Sequence, residues 1–213
     1  MSSRVVCISR SLAAGGEEIG RRVAKELGLR YADEEIIIRA AEAAGVSPEL
    51  VAEAEHTSSL ITRILEYMGQ TPVDPVGWSA SAVLPSPTKP SYEGLIERMV
   101  REAANEGNVV IVAHGGSIPI AGMSGLLRVL VTASPRVRAE RLAREAKVEA
   151  SEARKAIAES DRQRREYLRR FYNVRQELPT HYDLVINTDV LTLPQAAKLV
   201  ESAAKGQQAS KRT

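Results

Sequence analysis

SLAAGGEEIGRRVAKELG, residues 11–28, follows the short apolar run Val5-Val6-Cys7-Ile8. The order is strand, glycine turn, amphipathic helix. Ile19, Val23 and Leu27 lie four residues apart and make one apolar stripe, and Gly28 stands where a helix C′ glycine belongs. A glycine turn between strand and helix exposes backbone N–H groups to an anion at the positive end of the helix dipole. A complete Walker loop reads G-x-x-x-x-G-K-[ST]. With Gly15 on its last glycine, Gly16 takes the lysine position, Glu17 the hydroxyl position and Arg10 the first glycine position. Ala13, Ala14, Gly15, Gly16, Glu17 and Glu18 are therefore candidates for a phosphate cradle. Glu17 and Glu18 also suit a helix N-terminus without any ligand.

The rest of the chain alternates in the same way. Val109–Val112 is a continuous apolar run, RVLVT (128–132) is another, and DLVINT (183–188) is the last. Helical spacing covers 34–44, about 48–68 behind Ser47-Pro48, 92–106, 135–147 behind Ser134-Pro135, 151–171 and 193–204. Short apolar strands alternating with helices predict an α/β domain with a parallel sheet covered on both faces. Residues 70–91 carry Pro72, Pro75, Pro85, Pro87 and Pro90 and read as a long, mobile loop. Trp78 within it either packs on the body or waits for a ligand.

Bulk properties narrow the class. The 213 residues are 44% hydrophobic and 26% charged, ordinary for one sizeable globular domain. A net charge of +2 does not point to nucleic acid, so any anion site depends on local clusters of Arg. Cys7 is the single cysteine, which suits a reducing compartment and a buried position. No secretory leader is evident, and no stretch reaches the roughly 20 apolar residues of a membrane helix. A cytoplasmic protein is expected, with the tail 205–213 frayed.

ISRSLAAGGEEIGRRVAKELG resembles the opening of the cytidylate kinase-like family, in which S-R-x-x-G-S-G-G-x-x-I-G replaces a full Walker loop. Ser9, Arg10, Gly15, Gly16, Ile19 and Gly20 match that pattern. Ala13 and Ala14 replace its glycine and serine, and Glu17 stands where the family often has Arg. SDRQRREYLRRFYNV (160–174) and HYDLVINTDVLTL (181–193) are similar to the family's ending. The resemblance covers 4–47 and 92–202. It implies a P-loop nucleotide kinase fold in a single domain over 1–213, with a helical acceptor-binding segment at 34–108 and an Arg-rich lid at 144–176. It further implies transfer of the ATP γ-phosphoryl group to a nucleoside monophosphate, CMP or dCMP, with Mg2+.

Such a reaction needs positioning and positive charge more than covalent help. Arg10 is the candidate to replace the missing lysine, the alternative being a surface ion pair. Arg162 and Arg165 are the lid's candidate catalytic cations, among Arg164, Arg169, Arg170 and Arg175, with Arg141 and Arg144 at the lid's base. By resemblance, Asp33 and Arg39 face the acceptor, Asp161 lies near the cytidine, and Asn187 and Thr188 border the adenine. His114 and Gly115 follow the third apolar run where the family usually has Gly-Arg-Gly or Gly-Arg-Cys, so one fixed charge is missing there. Glu17, Glu18 and Asp33 are carboxylates in the region, but no metal ligand set stands out. A second expectation stays open beside the kinase: a catalytically weak or inactive nucleotide- or anion-binding protein on the same frame. A third is a phosphotransferase whose acceptor is set by residues 70–91.

Overall fold

The computed structural model describes residues 4–45, 92–112 and 115–206. The expected helix at 48–68, the loop 70–91 with Trp78, His114, and the tail from 207 onward lie outside the described residues. Among the described residues no helix is long and apolar enough to cross a membrane.

The element order is β1 (Val5–Arg10), α1 (Gly16–Leu27), β2 (Arg30–Ala32), α2 (Glu34–Ala44), α3 (Tyr92–Glu106), β3 (Val109–Val112), β4 (Leu126–Thr132), α4 (Pro135–Ala146), α5 (Ala150–Tyr172), β5 (Leu184–Asn187) and α6 (Leu193–Gly206), with a 3-10 turn at Pro179–His181. The strands form one sheet in the order β2-β3-β1-β4-β5, and every pairing is parallel. The α/β expectation is met.

The strands alternate which face of the sheet each residue serves. Val6, Ile8, Val110, Val112, Val129 and Val131 pack with Ile19 and Val23 of α1 and Val200 of α6. Val5, Cys7, Val109 and Ile111 pack on the other face with Ile36 of α2 and Ile96 and Val100 of α3. A third cluster joins Leu142 and Ala146 of α4 to Ala153, Ala156 and Ile157 of α5, and takes in Leu12 from the turn after β1. The α4–α5 pair is a helical hairpin that turns at Lys147, with φ of 53°, and it grips the turn through Leu12.

Local signals act as expected at several ends. Gly28 adopts φ of 63° and its N–H reaches Ala24 and Lys25 carbonyls. The Ser134 hydroxyl accepts from Val137 N–H and Pro135 opens α4. The structure also adds β2, which the apolar pattern does not reveal. Arg30-Tyr31-Ala32 is a three-residue edge strand that needs no apolar run. β5, at the opposite edge, leaves Val185 exposed, so among the described residues its outer side is not fully covered. α5 starts at Ala150 with Glu149 as N-cap, just ahead of the expected Ser151.

Cys7 is fully buried in the central strand. Burial pushes its thiol up to about 12, against the opposing influence of Arg128. The thiolate is the reactive form, so native protein should resist alkylation at mildly alkaline pH and label only as it unfolds. Labelling by iodoacetamide should follow the unfolding curve in urea; fast labelling of the native protein would contradict this burial.

Candidate functional site

A parallel sheet presents the carboxyl ends of all its strands on one edge, where ligands of such folds bind. Here that edge gathers Arg10 from β1, Asp33 after β2, Gly115 after β3, Thr132 from β4, and Asn187 and Thr188 at the end of β5. The turn from β1 into α1 lies at its centre. Ser11 N–H donates to the Val131 carbonyl and Ala14 N–H donates back to the Ser11 carbonyl. Gly15 is the N-cap of α1, with φ of 85° and no capping side chain. The first N–H groups of a helix have no intrahelical acceptor, so the turn offers donors at the positive helix end.

The position of the absent lysine is filled from elsewhere. A Cβ built on Gly16 would lie 2.5 Å from Arg10 Cβ and 2.8 Å from Arg10 Cγ. The stem of Arg10 thus occupies the space in which a side chain at Gly16 would begin. In a Walker loop these two positions carry a glycine and a lysine; here they carry an arginine and a glycine, and the volumes exchange. The Arg10 guanidinium forms an ion pair with Glu17 in the first turn of α1, both side chains being about four-fifths buried. Glu18 faces outward and pairs with Arg22 at 2.7 Å.

Beside this turn, Tyr31 Oη donates to Asp33 Oδ2 at 3.1 Å, and Arg21 stacks over the Tyr31 ring at 5.3 Å. Burial first, and then the Asp33 charge, raise the Tyr31 pKa above its ordinary value, so it stays a donor. Asp33 is therefore oriented by a fixed neighbour. Arg39 is engaged elsewhere. It bonds to Glu35 and Glu106, which also hold Arg30, forming a four-residue network where β2 begins and α3 ends. The Glu106 hydrogen bond is the main cause of the raised Arg39 pKa.

The hairpin sorts its arginines into separate tasks. Arg162 lies on the exposed side of α5, bonded to Glu159 at 2.6 Å and Glu166 at 3.0 Å. Arg165, also exposed, borders a groove of about 520 Å3 between α4 and α5, together with Arg136 and Arg154. Asp161 makes a double hydrogen bond to Arg138 of α4, at 2.7 and 2.9 Å, and Arg138 Nε donates to the Ala133 carbonyl. Arg138 is 3% exposed. Asp161 thus pins α5 to α4, a partnership that its adjacency to Arg162 does not suggest. The far half of α5 docks on the body. Arg164 grips Glu177 at 2.6 and 2.9 Å, and Tyr182 donates to Glu177. Burial opposes the Arg164 charge, but the Glu177 carboxylate outweighs it and raises the pKa. Tyr172 and Tyr167 lie over Gly115, where a Cβ would meet them at 3.0 and 3.1 Å.

One further residue reaches the turn, while its neighbour Asn187 is engaged locally. Thr188 is completely buried and bonds both to the Ala14 carbonyl and to Arg141 of α4. Asn187 accepts from Asp189 N–H at 2.9 Å. Among the described residues no three His, Cys, Asp or Glu side chains cluster to hold a metal ion.

A five-stranded parallel sheet in this order, with a glycine turn leading from the central strand into a helix, defines a P-loop kinase fold. The structure of an uncharacterized protein from Eubacterium ventriosum is similar with a TM-score of 0.67 at 12% identity, over 95% of this chain and 98% of that one. Shikimate kinase from Acinetobacter baumannii gives a TM-score of 0.53 at 11% identity, over 98% and 97% of the two chains. The chain belongs to the cytidylate kinase-like family, whose model matches residues 5–190. The cytidylate kinase of Ignicoccus hospitalis is 29% identical to it over 188 residues, 88% of this chain and 91% of the relative.

Two pairs of variants test this geometry. Gly16→Lys alone should destabilise the protein by about 1–3 kcal/mol through overpacking, and adding Arg10→Gly should recover most of the loss in thermal unfolding. Asp161→Ala strands the buried Arg138 guanidinium. It should cost about 2–4 kcal/mol, with a smaller loss for Asp161→Asn, read from urea denaturation.

Proposed function

We propose that the chain is an ATP-dependent phosphotransferase that acts on a nucleoside monophosphate, with CMP or dCMP as acceptor. Family membership supports the kinase-like class, and the likeness to the cytidylate kinase of Ignicoccus hospitalis supports the acceptor. The observation that carries the reading is the Arg10 stem over Gly16, which brings a guanidinium to the turn in place of the Walker lysine. Kinases of this fold normally use ATP and Mg2+; ATP supplies the phosphoryl group and Mg2+ neutralises its oxygens.

In this reading the backbone of Ala13 to Gly16 and the first N–H groups of α1 receive the phosphates of ATP. Arg10 offsets the negative charge that develops on the transferring group; a guanidinium fork matches two phosphate oxygens. Asp33, held by Tyr31, and Gly115 belong to the acceptor side. The donor set suits a Mg2+ ion held mostly by phosphate oxygens and water. Arg165 keeps an exposed position on the hairpin from which it can approach a ligand. Arg162 would have to leave two carboxylates to do so.

One observation favours a second reading. Glu17 already pairs with Arg10, so the turn carries its own counter-charge. A protein that binds an anion without transferring phosphate is the alternative. Release of ADP from ATP and Mg2+, measured with each nucleoside monophosphate in turn, separates the two. Stimulation by CMP or dCMP is expected, with Arg10→Ala lowering kcat/KM about ten- to a hundredfold, the worth of one charged hydrogen bond. Nucleotide binding without acceptor-dependent ADP release would establish the second reading instead.

A further inference from the structure

Thr188 has no exposed surface, so its hydroxyl does not reach a ligand directly. It donates to the Ala14 carbonyl at 2.9 Å and accepts from Arg141 Nη1 at 2.9 Å. Arg141 Nη2 donates to the Thr188 carbonyl, and Thr188 N–H donates to the Thr132 carbonyl at 2.8 Å. The residue is therefore locked between β4, α4 and the turn. The turn itself is under strain. Ala13 adopts φ of 59°, a left-handed conformation that is unfavourable for a non-glycine residue and persists only where surroundings enforce it. Leu12 is enforced from the hairpin side by the α4–α5 apolar cluster, against which Ala13 also packs. Ala14 is enforced by Thr188.

The consequence follows from the peptide bond. The Ala14 carbonyl and the Gly15 N–H belong to one planar unit, and the described chain contains no cis peptide. Carbonyl and N–H of a trans peptide point in opposite directions. A carbonyl held toward Thr188 aims the Gly15 N–H away from Thr188. Gly15, at φ of 85°, can adopt either sign of φ at little cost, so this peptide can flip if nothing holds it. A flipped peptide would present a carbonyl where a donor is needed.

We propose that Thr188, braced by Arg141, is a positioning residue that fixes the Ala14–Gly15 peptide so that the turn presents N–H groups to the phosphates of the nucleotide. The inference rests on the proposed role of the turn as a phosphate cradle. It moves Thr188 from contact with the adenine to control of the turn.

The test uses Thr188→Val, which keeps the shape and removes the hydroxyl, and Thr188→Ser, which keeps the hydroxyl. ATP and inorganic tripolyphosphate are titrated by calorimetry. Thr188→Val should weaken both by about tenfold, the worth of one well-placed hydrogen bond. Thr188→Ser should bind like the parent, and KM for the acceptor should not move. Equal affinities for Thr188→Val and the parent, or equal losses in both variants, would overturn the proposal. Arg141→Met should matter less on the Thr188→Val background than on the parent; full additivity would remove Arg141 from this role. If the parent binds neither probe, the cradle reading itself fails, and amide exchange in the free protein decides the rest. Faster exchange across residues 11–18 in Thr188→Val but not in Thr188→Ser supports the positioning role, and identical exchange in all three proteins overturns it.

Discussion

The stem of Arg10 and the missing side chain of Gly16 occupy one volume, and the architecture of the site follows from that exclusion. A lysine at position 16 would have to displace the arginine. A loop built this way takes its cation from the end of β1, inside the sheet, and not from the first turn of α1. β1 is the central strand and Arg10, at its end, pairs with Val131 of β4, so the base of Arg10 is held by the sheet. The cost is flexibility of reach: a side chain anchored in a central strand has fewer places to go than one on a helix end.

Exclusion at Gly16 does not by itself shape the turn. Two alanines stand where the family pattern has glycine and serine, and one of them is left-handed. The enforcement comes from sequence-distant elements. The α4–α5 hairpin supplies an apolar pocket for Leu12, while β5 and α4 supply the polar brace at Ala14. The hairpin that would serve as a lid is thus part of the turn's own support. Its two helices are pinned by Asp161 and Arg138, and its far end is fixed by Arg164 and Glu177. Motion of this hairpin and the conformation of the turn are mechanically joined.

Much of this frame is legible in the chain. Val5–Ile8 before Gly15-Gly16 marks the central strand and the turn, and Ser134-Pro135 marks the start of α4. These signals work because strand burial, helix capping and left-handed glycine are local properties. β2 is invisible to the same reading, since three residues at an edge need no apolar period. The arginine cluster of 162–175 shows the limit most clearly. Spacing reveals that charges crowd one helix, but the partner of Asp161 lies 23 residues away on α4, and that of Arg164 lies beyond the helix end. Thr188 was legible as a residue at the end of β5. Its burial against Ala14, 174 positions away in sequence, is a property of the closed fold alone.

The pairing of the arginines bears on what a phosphate ligand must do here. Arg10, Arg39, Arg138, Arg162 and Arg164 each have a carboxylate partner. An anion entering such a site does not meet bare positive charge; it competes with carboxylates for guanidinium forks already in use. At Arg138 and Arg164 the carboxylates are themselves part of the framework, so exchange there would loosen the hairpin. At Arg10 the partner is Glu17, in the first turn of α1, and the pair holds neither α4 nor α5. Under the proposed function, the difference in what each pair supports, more than the number of arginines, favours Arg10 as the cation for a phosphate.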